Sequence, residues 1–315
     1  MTDTPPDTDR IPLLIDTDPG VDDALALLMA FNDPRHEVVG LTIAAGNVGL
    51  PHTVANALKL CEVAGVDVPV FAGCATPLLH MAEDAGYVHG RDGFGDIGYT
   101  PAARQPEAEH AALAILRLSH EYAGRLLLVA LGPLTNLALA LRLDPALPSR
   151  VARLVVMGGA VTGRGNTSAV AEFNIGFDPE AADIVFRAFP AFDLVDWEAV
   201  LRHGFEPADF ERWLEAGDDR ARFYSAISAH TRQWSAGRRT KFHSADALAM
   251  AVALAPDVID RAEARPVSVE LEGRHSRGAT IVDWQERSGA PANARIVLDV
   301  DAARFEGRVR GALGA

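Results

Sequence analysis

An α/β fold, with an open and mostly parallel β-sheet flanked by helices and some antiparallel strands towards the C-terminus, follows from two features of this 315-residue sequence. Strand-like apolar runs alternate with helix-like ones through most of the chain, as a parallel sheet with helical crossovers requires. The first such pair, at residues 11–31, places a buried strand, a Pro-Gly turn and a helix in immediate succession.

Taken in order, residues 11–15 read as the first strand, Pro19-Gly20 as its turn, and the apolar run after Asp23 as a helix that begins at the carboxylates. Residues 38–44 are predicted as a strand, 52–63 as a helix and 68–72 as a strand. A Gly-rich loop across 73–105 precedes a helix ending near Tyr122. Residues 126–131 and 134–143 form the next strand and helix, and 154–157 another strand. After a second Gly-rich loop, 179–188 is predicted helical and 192–195 a short strand. Residues 197–262 read as mainly helical, and 266–300 as a few strands, antiparallel in part, before a final helix. No repeat or linker divides the chain, so a single domain is expected over 11–315, preceded by a flexible polar tail at 1–10.

With 49% hydrophobic and 23% charged residues, the chain can bury a large core. A net charge of −14 and a pI near 5.1 leave no basic excess to neutralise phosphates, which argues against nucleic acid or an anionic membrane as partner. Cys61 and Cys74 are too few for a disulfide framework. The N-terminus is polar and acidic, unlike a signal peptide, and the longest apolar run, 126–141, is broken by Gly132-Pro133 and Thr135-Asn136. A soluble cytoplasmic protein is the expectation.

The chemistry concentrates at Asp16-Thr17-Asp18-Pro19-Gly20-Val21-Asp22-Asp23. A helix cap, a first-turn acid and an ordinary turn account for one or two of these carboxylates. They do not account for four in eight residues, because like charges cannot be desolvated together without a cation. Hard oxygen ligands at the carboxyl edge of a sheet suit Ca²⁺ or Mg²⁺.

Other polar groups fall at strand ends. Gly46-Asn47 closes the second strand, and Leu131-Gly132-Pro133-Leu134-Thr135-Asn136 closes another; both are also common turn chemistry. The segment 86–98 contains a formal G-x-G-x-x-G, but no strand leads into it, so it reads as a mobile lid with His89 facing the site. After Met157-Gly158-Gly159 come Asn166 and then Glu172-Phe173-Asn174; in an extended segment Glu172 and Asn174 share one face. Asp178-Pro179-Glu180 is assigned to helix capping. His230, Trp234 and Arg238 recur at helical spacing, either as a surface stripe or as base contacts. His243-Ser244-Ala245-Asp246 opens a further apolar helix, where Asp246 serves as a first-turn acid or as a ligand.

In this order and spacing, Asp-x-Asp-Pro-Gly-x-Asp-Asp, Gly-Asn, Val-His-Gly-x-x-Gly-x-Gly, Asn…Ala-Glu-Phe-Asn and the segment ending in Asp246 resemble the inosine–uridine-preferring nucleoside hydrolases. The resemblance implies a Rossmann-like fold and Ca²⁺-dependent hydrolysis of ribonucleosides to base and ribose. It implies Ca²⁺ on Asp18, Asp23, Asp246 and the Leu131 carbonyl, with Asp18 also the general base. Asp22, Asn47, Asn166, Glu172 and Asn174 would hold the ribose, with Met157 and His89 beside it and Asp16 supporting the loop from behind. Trp234 and Arg238 would face the base. The chain departs from the usual pattern at Ala245, where the family's leaving-group His directly precedes the Asp; His243 is the candidate substitute. A homodimer or homotetramer is implied. Two other readings remain: a haloacid-dehalogenase-type phosphatase with Asp16 as nucleophile, and a nucleoside-binding protein without catalysis.

Overall fold

The computed structural model describes residues 10–81, 83–238 and 240–315. The expected tail at 1–10 thus lies, Arg10 aside, outside the described residues. The chain opens with β1 (Ile11–Thr17), buried beyond its first residue, and α1 (Val21–Asn32), whose N-cap Gly20 donates its amide to the Asp23 carboxylate at 2.9 Å. There follow β2 (His36–Ile43), α2 (Leu50–Ala64), β3 (Val70–Ala72), α3 (Gly86–His89), α4 (Ala111–Glu121), β4 (Leu126–Ala130) and α5 (Thr135–Leu143). Next are β5 (Val151–Met157), α6 (Phe173–Phe177), α7 (Pro179–Ala188), β6 (Phe192–Val195), α8 (Trp197–Arg202), α9 (Pro207–Ala216), α10 (Asp219–Gly237) and α11 (Ala245–Leu254). The last elements are β7 (Ile259–Arg265), β8 (Val267–Val269), β9 (Thr280–Val282), β10 (Ala294–Val300) and α12 (Ala302–Leu313).

Eight strands form one mixed, mostly parallel sheet in the order β3-β2-β1-β4-β5-β6-β10-β7. Leu13 and Ile15 of β1 enter one hydrophobic core and Leu14 the other, as strand alternation requires of a sheet covered on both faces. α11 is apolar all round apart from Asp246 and is buried throughout, packed on α1 and β5. Asp178 caps α7 by accepting the Ala181 amide, with Pro179 at the first helical position. The chain runs outward from β1 to β3 and then returns to β4 on the other side of β1. That reversal opens a crevice at the carboxyl ends of β1 and β4, where open α/β sheets bind ligands.

The structure corrects the reading of the C-terminal third. The stretch 197–262 is not helical to its end, because β7 begins at Ile259; its sequence, Ile-Asp-Arg-Ala-Glu-Ala-Arg, is that of a charged edge strand and carries little apolar signal. The antiparallel strands expected within 266–300 are present: β10 joins the main sheet parallel to β6 and antiparallel to β7. β8 and β9 form an antiparallel pair of their own. The loop expected across 73–105 contains the single-turn α3.

Candidate active site

The β1–α1 junction supplies three carboxylates, because Asp18 directly follows β1 while Asp22 and Asp23 fill the first turn of α1. Asp246 occupies the first turn of α11, which lies alongside α1. Carboxylate oxygens of Asp22, Asp23 and Asp246 fall within 4.8 Å of one another, a grouping that includes Asp22 rather than Asp18. Burial pushes all four acids up, Asp22 to about 6, and mutual repulsion adds to it for Asp18, Asp23 and Asp246. Among the described residues, the one basic side chain with a nitrogen within 4 Å of these four carboxylates is His89, whose Nδ1 lies 3.9 Å from Asp22.

Asp18 is 1% exposed and fits only because its neighbours lack side chains. A Cβ at Gly46 would stand 2.1 Å from Asp18 Oδ2, and one at Gly132 2.3 Å from Oδ1. The Asn47 amide donates to Asp18 at 2.7 Å, and its side chain donates to Asp23 at 2.9 Å. Asp16 lies one layer deeper, fully enclosed and accepting from Thr42 (2.7 Å) and Asn136 (2.9 Å), with burial pushing it up to about 7. Held by these two side chains, Asp16 supports the loop from behind, as a nucleophile of the phosphatase reading would not.

Asp22, Asn47 and Asp246 line a cavity of ≈ 290 Å³, with Asp18 and Asp23 beneath its floor. Leu131, Met157, Glu172 and Asn174 line its wall along the sheet edge. The Asn174 side chain donates to the carbonyls of Leu131 (2.6 Å) and Met157 (3.2 Å). Glu172 accepts the amides of Asn174 (2.9 Å) and Gly159 (2.8 Å), and burial pushes its carboxyl up to about 7. The expected extended face at 172–174 is corrected: Glu172 caps α6 and Asn174 is inside it, because a carboxylate beside free helix amides nucleates a turn. Asn166 sits exposed at the rim.

His89 faces the cavity and accepts the Val21 amide at Nδ1 (3.1 Å), which leaves its proton on Nε2. Burial pulls its pKa to about 4, against the pull of Asp23. The loop after it, expected as a lid, is anchored in this structure. Phe94 is fully buried against Tyr99 and Phe223, with ring centroids 5.5 and 5.9 Å away, and Asn56 donates to the Pro19 and Asp92 carbonyls. Glycine-rich composition concealed that single aromatic anchor.

The far wall comes from α8, the end of α10 and residues 240–243. Trp234 and Arg238 both line it, with the guanidinium carbon 3.6 Å from the Trp234 ring centroid. His230 is exposed beside Gly95 and contributes nothing to the cavity. His243 lines it, its ring 6.4 Å from that of Trp197, with burial lowering its pKa against a hydrogen bond to the Leu201 backbone. Sequence reasoning missed Trp197, although its place just past β6 marks the same sheet edge. It also missed Thr231, which is internal to a helix and carries no local signal.

A family model described as inosine-uridine preferring nucleoside hydrolase matches residues 13–307. The chain belongs to this family. The non-specific ribonucleoside hydrolase RihC of Salmonella enteritidis PT4 (strain P125109) is 37% identical over 298 residues, 95% of this chain and 96% of the relative. A plant nucleoside hydrolase, PpNRh1, superposes with a TM-score of 0.90 at 31% identity over 97% of this chain and 99% of its own. A purine-preferring ribonucleoside hydrolase from Gardnerella vaginalis does so at 0.89 and 29%, over 96% and 98%. Within this nucleoside hydrolase, the donor set fits a hard divalent cation. It consists of clustered, largely buried carboxylates, and among the described residues Asp22 Oδ1 is buried without a hydrogen-bond partner.

Proposed function

We propose that this chain is a Ca²⁺-dependent N-ribohydrolase that cleaves the N-glycosidic bond of ribonucleosides to free base and ribose. The observation that supports it most directly is the crowding of Asp18, Asp22, Asp23 and Asp246 at a cavity otherwise equipped with amides for a polyol. Asp18, Asp23, Asp246 and the Leu131 carbonyl would hold the ion, with Asp22 close enough to share it or to take a ribose hydroxyl. When bound, Ca²⁺ supplies Lewis acidity to a water and to the ribose diol. Asp18 accepts the attacking water's proton as general base. Asp22, Asn47, Asn166, Glu172 and Asn174 orient the sugar, and the surrounding carboxylates favour the positive charge that develops on an oxocarbenium-like ring. His243, Trp234 and Arg238 face the departing base.

No helix among the described residues is long and apolar enough to cross a membrane. Action in the cytoplasm is part of the proposal, and so is a homodimer or homotetramer, which rests on the family resemblance. The test is ribose release from inosine, adenosine, guanosine, uridine and cytidine, with Ca²⁺ and after chelation. Release that needs Ca²⁺ and is lost in Asp18→Ala is the expected result. Tight binding of a nucleoside with no base released would instead make the chain a binding protein.

A further inference from the structure

Breaking the glycosidic bond leaves its electron pair on the base nitrogen, and something must offset that charge. In this chain the residue directly before Asp246 is Ala245, a methyl group that offers no proton. We infer that Arg238, laid over Trp234 at the cavity wall, is the catalytic group that stabilises the departing base, and that the site therefore selects 6-oxopurine nucleosides over 6-aminopurine ones. This rests on the hydrolase reading above.

Among the described residues, Arg238 is the one Lys or Arg side chain that lines the cavity. It caps α10, its backbone amide bonded to the Ser235 carbonyl, which sets its side chain back over the preceding turn. The Trp234 ring carries the guanidinium at 3.6 Å, and among the described residues no carboxylate pairs with it. Its donors therefore face a ligand without first being released from an acid. His243 shares the wall but is held by its neighbours: it packs near Trp197, bonds the Leu201 backbone, and its Nε2 would stand 2.6 Å from a Cβ on Gly204.

The step balances without a proton from Arg238. The water oxygen bonds C1′ as the C1′–N bond breaks and its electron pair leaves with the base. The water's proton goes to Asp18, and the base anion, held by the guanidinium, takes a proton from solvent. A departing 6-oxopurine spreads its charge onto O6 and N7, two acceptors that a guanidinium fork matches. Adenine turns an amino donor towards the same fork.

The experiment compares inosine, guanosine, adenosine and a 4-nitrophenyl riboside, whose leaving group needs no help, with the wild type, Arg238→Met, Arg238→Lys and His243→Gln. Inosine and guanosine should exceed adenosine in kcat/KM for the wild type. Arg238→Met should lower kcat on inosine ~10²-fold, as loss of a charge-stabilising donor does, while leaving the nitrophenyl substrate within about twofold. Arg238→Lys should recover part of the loss, and His243→Gln should lower inosine turnover less than Arg238→Met does. Equal losses on both substrates, an unchanged inosine rate, or a greater inosine-specific loss in His243→Gln than in Arg238→Met would overturn the assignment. Wild-type cleavage of the nitrophenyl riboside separates that outcome from failure of the hydrolase reading; if the wild type cleaves nothing, both fall.

Discussion

A Cβ at position 132 would stand 2.3 Å from Asp18 Oδ1, closer than any real Cβ contact, so the glycine there is what lets the carboxylate lie flat against the end of β4. Gly132→Ala should push Asp18 off its hydrogen bond with Asn47 and lower kcat/KM by ~10²-fold, the cost of misplacing a reacting group by about 1 Å. Steady-state kinetics beside a far-ultraviolet spectrum would check this; a folded variant with full activity would show that Asp18 has room to spare. At this scale the acids of residues 16–23 were legible, because their density exceeds what caps and turns need, whereas Asn47, Glu172 and Asn174 stood out by their places after strand ends. The glycines read only as turn formers, since sequence shows a bend but not what the bend makes room for.

Between elements, α10 holds α3 and the loop after it. Thr231 donates its hydroxyl to the Val88 carbonyl at 3.0 Å, and Gly95 sits against the Ile227 carbonyl, where a Cβ would approach to 2.6 Å. Thr231→Val leaves that carbonyl without its donor and should cost about 1–3 kcal/mol while raising KM by loosening His89; Thr231→Ser should restore both. A KM unchanged in Thr231→Val would show that α3 docks without this bond. Asp33 performs a comparable task elsewhere, ending α1 and joining β2 to α12 through His36 (3.1 Å), Arg35 (3.2 Å) and Arg308 (3.1 Å). Burial opposes its charge, but the hydrogen bonds from His36 and Arg35 outweigh that and hold its pKa near 2. Because the folded pKa lies below the unfolded one, the stability it contributes is present above about pH 4 and is lost as pH falls towards 2. Asp33→Asn should therefore be less stable than wild type at pH 7, by on the order of 1 kcal/mol for this partly screened group. Denaturant titrations should find that gap closing in acid; a gap independent of pH would mean the ion pairs contribute nothing.

For the molecule as a whole, folding brings four mutually repelling carboxylates into one largely buried place, so a cation that binds the native state alone should stabilise it. Ca²⁺ at a hundredfold excess over its Kd contributes about 2.7 kcal/mol, and chelation should lower Tm by roughly 5 °C; a Tm indifferent to chelation would remove the ion from this site. The sequence by itself determined the α/β class, the first strand–turn–helix unit, the strand ends that carry polar groups, and the membership of the hydrolase family. These properties are local: apolar periodicity, turn residues and the density of charge are written in consecutive positions. Only the tertiary structure decided that β10 returns to the main sheet beside β6, that Phe94 pins the supposed lid, and that Glu172 caps a helix instead of extending a strand. It also placed Trp197 and Arg238 on one wall and left His230 outside. The physical reason is the same in each case. An edge strand, an aromatic anchor and a cavity wall are defined by partners far away in the chain, and no stretch of sequence carries the identity of what will pack against it.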